Sequence, residues 1–242
     1  MRIRKPTPED LERLSALWQE GFGDTAEDVE AFYATAFCCE KAFLAEEQNP
    51  VASIYWMDAQ IGGQKVAYLY ALAVEKTYRS RGVGKALLQK TVQALKGEGY
   101  KAAILVPGEE SLYSYYEKAG FVSFGKTQKS VIEKEAPGLP ACKLSMEAYL
   151  ASRQKANLAV QWGEEAVSYL GSFCDFYAGE GWLLAIGREG VQEFTGNPEI
   201  LPHILYTLNI DKTSCLLPGK NPCAMAYCFA PISLPDAFSP SF

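Results

Sequence analysis

The apolar positions change their period several times along the first 136 residues, and each change predicts an element. From Pro8 onward, Leu11, Leu14, Leu17 and Trp18 recur at helical spacing. Thr7 stands where a cap belongs, Pro8 suits the first helical position, acids fill the first turn and Gly21 ends the run. A second helix starts at Thr25 and carries Val29, Phe32, Tyr33 and Phe37 on its apolar side. The pattern then turns to strands. Residues 41–46 form a short apolar run broken by Gln48, Asn49 and Pro50, and 51–61 supply its hairpin partner, with Gly62 and Gly63 as the next turn. Residues 65–74 are apolar almost throughout, as in a strand covered on both faces. A glycine-containing turn leads into a helix that runs to about residue 97, with Val83, Leu87, Leu88, Val92 and Leu95 on its apolar side. Residues 100–106 form another buried strand, stopped by Pro107 and Gly108. A helix follows from Ser111 to Gly120, and 121–133 continue as paired strands.

This order predicts an α/β chain, a mixed sheet with helices on its faces, complete by residue 136. The Pro- and Gly-containing stretch 135–140 marks a boundary. Beyond it a smaller α+β domain is expected over 145–242. Its helices are placed at 145–158, 162–177 and 198–208, and its strands at 182–186, 191–194, 214–217 and 225–229.

Composition narrows the class. The 242 residues are 48% hydrophobic and 21% charged, which suits one large domain or two small ones. No stretch is long and apolar enough to span a bilayer, and the polar start of the chain lacks the apolar core of a signal peptide, so a cytoplasmic protein without membrane contact is expected. Seven cysteines, two of them adjacent (Cys38, Cys39), form no C-x-x-C pair, and His203 stands alone, so no metal site is expected and the thiols are taken as reduced and buried. A net charge of −6 argues against a nucleic-acid surface. The charge is divided, however: residues 1–60 hold 5 basic and 12 acidic side chains, whereas 61–136 hold 12 basic and 7 acidic. Such a division suits a polyanionic ligand at one end of a site and a cation at the other, although solvated surface charge explains it as well.

The segment that carries chemistry is 71–86. A buried strand ends at Val74, and Arg79, Ser80, Arg81, Gly82, Val83 and Gly84 lead into a helix. Glycine lets the backbone approach a ligand, and the first N–H groups of a helix point outward with the positive end of its dipole. That geometry binds phosphate, and Arg79, Arg81 and Lys85 add charge around it. A dinucleotide fingerprint fails because Leu87 stands where a third glycine is needed, and no G-x-x-x-x-G-K-[ST] string occurs.

Arg79-x-x-Gly82-x-Gly84 between a strand and a helix resembles the pyrophosphate-binding motif of the GCN5-related N-acetyltransferase (GNAT) superfamily. A strand, a turn and then Tyr115-Tyr116-Glu117-Lys118-Ala119-Gly120-Phe121 resemble the next part of that fold. The resemblance covers about 1–134. It implies an acyl-CoA N-acyltransferase fold, acetyl-CoA as cosubstrate and a primary amine as acceptor. Leu72, Ala73 and Val74 would hydrogen-bond the pantetheine arm through their backbone, and the turn from Arg79 to Gly84, with Lys85, would hold the pyrophosphate. Tyr116 would protonate the leaving thiolate, with a phenol pKa near ~10 roughly suited to that task. Two departures stand out: Tyr68 occupies the place of a glutamate base used by some members, and Glu109 that of a frequent asparagine. None of Glu40, Glu46, Glu47 or Glu75 is assigned as base.

Residues 145–242 resemble the shortened, degenerate second GNAT-like half of some bacterial members, and contain no Arg-x-x-Gly-x-Gly string. An acceptor-cleft wall, a homodimer surface and a plain structural extension all stay open as roles. The leading expectation is acetyl transfer to a small, cationic amine by direct attack in a ternary complex, since no residue stands out as a covalent nucleophile. A non-catalytic acyl-CoA-binding regulatory module and a protein lysine or N-terminal acetyltransferase are the alternatives.

Overall fold

A computed structural model describes residues 1–156 and 158–236. In chain order the elements are β1 (Arg2–Arg4), α1 (Leu11–Phe22, after a 3-10 turn at Pro8–Asp10), α2 (Ala26–Thr35), β2 (Ala42–Glu46), β3 (Pro50–Ile61) and β4 (Gln64–Val74). Then come α3 (Val83–Gly97), β5 (Ala102–Leu105), α4 (Glu110–Lys118), β6 (Val122–Glu133) and β7 (Cys142–Leu144). The remainder comprises α5 (Met146–Lys155), β8 (Gln161–Trp162), α6 (Glu164–Leu170), β9 (Cys174–Gly179), β10 (Trp182–Gly187), β11 (Gly190–Thr195), α7 (Leu201–Thr207), β12 (Lys212–Pro218) and β13 (Asn221–Cys228). They form two compact units, one of Met1–Val122 with Met225–Ser233, the other of Ser123–Ala224 with 234–236.

In the first unit the strands lie in the order β1-β2-β3-β4-β5, antiparallel except for the parallel β4–β5 pair, and Met225–Cys228 of β13 pairs antiparallel with β5. The parallel step requires a crossover, and α3 supplies it. Leu87, Leu88 and Leu95 of α3 pack on Trp56, Ala67, Leu69 and Leu105. The alternate residues of the sheet face the other way: Tyr55 and Tyr70 meet Trp18 of α1 and Phe32 of α2. Each large apolar side chain buried in these two layers stabilises the unit by roughly 1.5–3 kcal/mol relative to exposure. Arg4 joins the start of α1 to the sheet, with its guanidinium 2.7 Å from both Asp10 and Glu46. The Arg4 hydrogen bonds hold the Asp10 carboxyl down to about 2.

The second unit orders its strands β7-β9-β10-β11-β12-β6, again with one parallel pair, β11–β12, bridged by a helix. Leu201, Ile204 and Leu205 of α7 pack on Trp182, Leu184 and Val191. On α5, Tyr149 and Arg153 are buried against Glu193 of β11, whose carboxylate accepts from the Tyr149 hydroxyl at 2.6 Å and from the Arg153 Nε and Nη2, both at 2.6 Å.

Several expected elements change. β1 was not expected, because three residues with alternating arginines carry too little pattern. The helix expected at 162–177 stops at Leu170; Gly171 and the turn to Phe173 break it, and the aromatics that continued its period belong to β9. Residues 122–133 are one strand, not two, with Gly125 at φ 65° inside it. The expected helix 145–158 ends at Lys155. That helix includes residue 157, and the expected domain 145–242 includes 157 and 237–242, which lie outside the described residues. None of the seven cysteines is in a disulfide, and only Cys215 and Cys223 are buried, whereas Cys38, Cys142 and Cys228 are exposed. Among the described residues no helix is long and apolar enough to cross a membrane.

Candidate active site

The site begins with an irregularity in β4. Its pairing with β3 slips between Ser53 and Tyr55, so that Ser53 faces Ala73 while Tyr55 faces Tyr70. One extra residue is therefore accommodated on β4, and Ala71 takes φ 47° to do it. A bulge of one residue inverts the alternation beyond it. Before the bulge Leu69 faces α3 and Tyr70 faces α1; after it Leu72 and Val74 pack on the α3 side, and Ala73 faces α1, 3.4 Å from where a side chain on Gly21 would begin. Pairing with β5 stops earlier still, at Tyr68 opposite Ile104. Residues 69–74 thus run on beyond the last β5 partner, and β4 leaves its neighbour just where Leu72, Ala73 and Val74 lie.

The loop after β4 is braced by side chains. A 3-10 turn at Lys76–Tyr78 follows Glu75, which pairs with Arg13 at 2.5 Å. Arg79 Nε donates to the Val74 carbonyl at 2.9 Å. Tyr78 donates to Glu47 at 3.1 Å, and the Arg81 guanidinium lies 5.3 Å from the Tyr78 ring centre. Ser80 and Gly82 both take left-handed backbone, at φ 60° and 80°, and Gly82 caps α3. As a result none of the six successive N–H groups from Ser80 to Lys85 reaches a protein acceptor among the described residues; the first bond is Ala86 N–H to the Gly82 carbonyl at 2.9 Å. Arg79, Ser80, Arg81, Gly82 and Lys85 are exposed, and Val83 is buried as the anchor of the helix. A row of unpaired N–H groups at the positive end of a 15-residue helix, beside two arginines and a lysine, has the chemistry to hold an anion.

Gly84 adds a steric condition. A Cβ there would lie 3.2 Å from the Tyr115 hydroxyl and 3.3 Å from a Val74 methyl, so the α3 N-terminus, the end of β4 and α4 meet at a point only glycine fits without movement. Tyr116, next along α4, is 8% exposed and packs edge-on against Tyr115 and Phe121. Burial, with the neighbouring Tyr115, pushes its phenol up to about 12. Its hydroxyl has no hydrogen-bond partner among the described residues. Gly120, at φ 96°, ends the helix under the Tyr227 ring, where a Cβ would come within 2.9 Å.

On the opposite face of β4, Tyr70 is half-buried beside the bulge and belongs to an aromatic group with Trp18, Phe32 and Tyr55. Of the carboxylates considered as bases, Glu46 is bound to Arg4, Glu47 to Tyr78 and Glu75 to Arg13. Tyr68 is buried against Tyr70. Sequence reasoning singled out the glycine turn and Tyr116 but missed the bulge, the aromatic face and Tyr115. The clustering of aromatics at Trp18, Phe32, Tyr55 and Tyr70 was a visible signal for the second; neither of the others had one.

The Acetyltransferase (GNAT) domain model matches residues 2–123, which contain the end of β4, the glycine turn, Tyr115 and Tyr116. The chain belongs to this family and carries a GNAT acetyltransferase domain. It is similar to mycothiol acetyltransferase of Amycolatopsis mediterranei (strain U-32), 31% identical over 106 residues that make up 40% of this chain and 35% of that protein. It is also similar to glucosamine 6-phosphate N-acetyltransferase of Trypanosoma brucei brucei, 37% identical over 60 residues, 25% of this chain and 40% of the relative. The matched stretches thus span well under half of either relative. A GCN5-related N-acetyltransferase from Anabaena variabilis shares the fold, with a TM-score of 0.70 at 16% identity over 94% of this chain and 72% of that one.

Proposed function

We propose that the chain transfers acetyl from acetyl-CoA to the primary amine of a small, cationic molecule by direct attack in a ternary complex. The observation that carries this reading is the row of unpaired N–H groups from Ser80 to Lys85 next to the stretch of β4 that has left β5. In this reading the loop from Arg79 through Gly84, with Lys85, holds the coenzyme diphosphate, and the backbone of Leu72, Ala73 and Val74 aligns the pantetheine arm. A thioester lying along β4 would reach the bulge at Ala71, with the amine arriving from the Tyr70 side. Of the rings Trp18, Phe32, Tyr55 and Tyr70, only Tyr70 is not fully buried, and its ring would attract a cation arriving there.

The acceptor nitrogen attacks as the neutral amine, so an ammonium must lose a proton first. Attack forms a tetrahedral centre whose nitrogen gives up a second proton to solvent; the C–S bond then breaks and the sulfur leaves with the negative charge as the CoA thiolate. Tyr116 is the proposed donor to that sulfur. With its pKa pushed up to about 12, the phenol stays protonated throughout neutral pH. Against a thiol near ~8.5 a complete proton transfer is uphill, so its contribution is a hydrogen bond that strengthens as charge develops. The backbone supplies a cradle for the coenzyme more clearly than the side chains supply a base: of Glu40, Glu46, Glu47 and Glu75, all but Glu40 are already paired.

The test is thiol release from acetyl-CoA over a panel of polyamines, amino sugars, amino-acid derivatives and lysine peptides, with the wild type and Tyr116→Phe. The reading expects turnover with at least one small cationic amine, and a 10- to 100-fold lower kcat in the variant with coenzyme affinity unchanged. Turnover with lysine peptides alone would replace the acceptor class. Coenzyme binding without turnover on any amine would make the domain a binding module.

A further inference from the structure

We infer that Tyr115, the neighbour of the motif tyrosine, is a coenzyme ligand whose hydroxyl donates a hydrogen bond to the diphosphate held at the N-terminus of α3. The inference rests on the coenzyme reading above. Successive residues of a helix point about 100° apart, and α4 uses that difference: Tyr116 turns into the core against Phe121, while Tyr115 turns towards the junction of β4 and α3. Its hydroxyl lies close enough to Gly84 that a Cβ there would stand 3.2 Å away, with the Val74 side chain adjoining the same point. Gly84 and its neighbours Val83 and Lys85 are among the residues whose N–H groups have no protein acceptor.

The hydroxyl itself has no hydrogen-bond partner among the described residues, although Tyr115 is half-buried. That hydroxyl is open to solvent rather than sealed in the core, so a ligand oxygen can reach it. Phenylalanine would pack against Tyr116 as well, so packing alone does not call for the hydroxyl. A phenol hydroxyl beside Gly84, next to those N–H groups, can meet a ligand oxygen, and a bond to a charged acceptor is among the stronger kinds. Burial pushes the Tyr115 pKa up, so the group remains a donor across neutral and mildly alkaline pH. The same contact explains why position 84 needs glycine: a methyl group would press on this hydroxyl.

The experiment is calorimetric titration of CoA into wild type, Tyr115→Phe and Tyr116→Phe, with 31P spectra of the bound CoA. Michaelis constants for acetyl-CoA and for S-acetylpantetheine, which lacks the diphosphate, complete the set. Expected for Tyr115→Phe are an about 10-fold weaker CoA affinity, shifted diphosphate resonances and an unchanged KM for S-acetylpantetheine. Tyr116→Phe should leave affinity and resonances alone. Wild-type affinity and resonances in Tyr115→Phe would overturn the inference while the coenzyme reading stands. Equal weakening towards S-acetylpantetheine would also overturn it, by assigning Tyr115 to packing. A folded wild type that fails to bind CoA would remove the coenzyme reading, and this inference with it.

Discussion

The two units repeat one construction and differ at the point that matters for binding. In the first, β2, β3 and β4 run antiparallel, a helix crosses over and β5 pairs parallel with β4. In the second, β9, β10 and β11 run antiparallel, a helix crosses over and β12 pairs parallel with β11. Each has a register shift in the hairpin before the helix, between Ser53 and Tyr55 in one and between Ala185 and Ile186 in the other. The strand-to-helix junctions are where they part. At β4–α3 the loop is basic, Gly82 caps without a side chain and six N–H groups stay unpaired. At β11–α7, Asn197 caps the turn with its own oxygen on the Glu199 N–H at 3.1 Å, Pro198 removes another donor, and Glu199 puts a negative charge where an anion would sit. One junction offers its donors to a ligand; the other consumes them. The β11 strand also carries the buried Arg153–Glu193 pair, so that its role is structural where β4 is open. This difference supports one coenzyme site per chain, in the first unit, and we propose the second unit as a GNAT-like half that has lost that site.

Breaking the structural side of the comparison should have the largest effect. Arg153 is 1% exposed, and Arg153→Met would leave Glu193 charged and buried without its ion pair. Urea unfolding should show a loss of about 3–5 kcal/mol. A loss below about 1 kcal/mol would mean that the pair contributes little to the unit.

Next comes the binding side. Gly84→Ala places a methyl group 3.2 Å from the Tyr115 hydroxyl and 3.3 Å from Val74, and either neighbour must shift. Affinity for acetyl-CoA should fall roughly 3- to 30-fold, the equivalent of about 0.7–2 kcal/mol. Gly190→Ala in the second unit, whatever it does to stability, should leave the affinity of the folded protein unchanged. An equal loss from both would argue against assigning binding to one unit.

The smallest effect concerns pH. Asp10 has its folded pKa lowered to about 2 by Arg4, so it contributes stability that is present above its unfolded pKa near ~3.9 and is lost as pH falls towards 2. Between pH 5 and 2.5 the wild type should lose more stability than Asp10→Asn, and the two unfolding curves should approach each other at the acid end. Parallel curves across that range would show that the Arg4 contact does not hold the first unit together.

Much of this arrangement was legible in the sequence, for reasons that differ from residue to residue. The helix from Val83 to Gly97 and the turn before it were readable because glycine, arginine and the helical apolar period occur together. The bulge at Ala71 was not. Residues 66–74 are apolar almost throughout, so no alternation of polar and apolar residues exists whose inversion could reveal an extra residue. Tyr113, Tyr115 and Tyr116 look alike in a string, and only the rotation of α4 about its axis decides which hydroxyl meets Gly84. Residues 121–133 were read as paired strands and form one, with Gly125 at φ 65° inside it; glycine in a strand marks turns and bulges alike, so the sequence does not tell the two apart. The break after Leu170 was hidden by Phe173, Phe176 and Tyr177, which keep a helical period while pairing and packing place the last two in β9.

The most direct test of the account is calorimetric titration of acetyl-CoA into the wild-type chain and into the Gly82→Asp, Gly84→Asp double variant. The account predicts one site per chain in the wild type and at least a 100-fold weaker affinity in the variant, whose carboxylates would stand in front of the free N–H groups of α3. Two sites per chain, or wild-type affinity in a folded double variant, would contradict it.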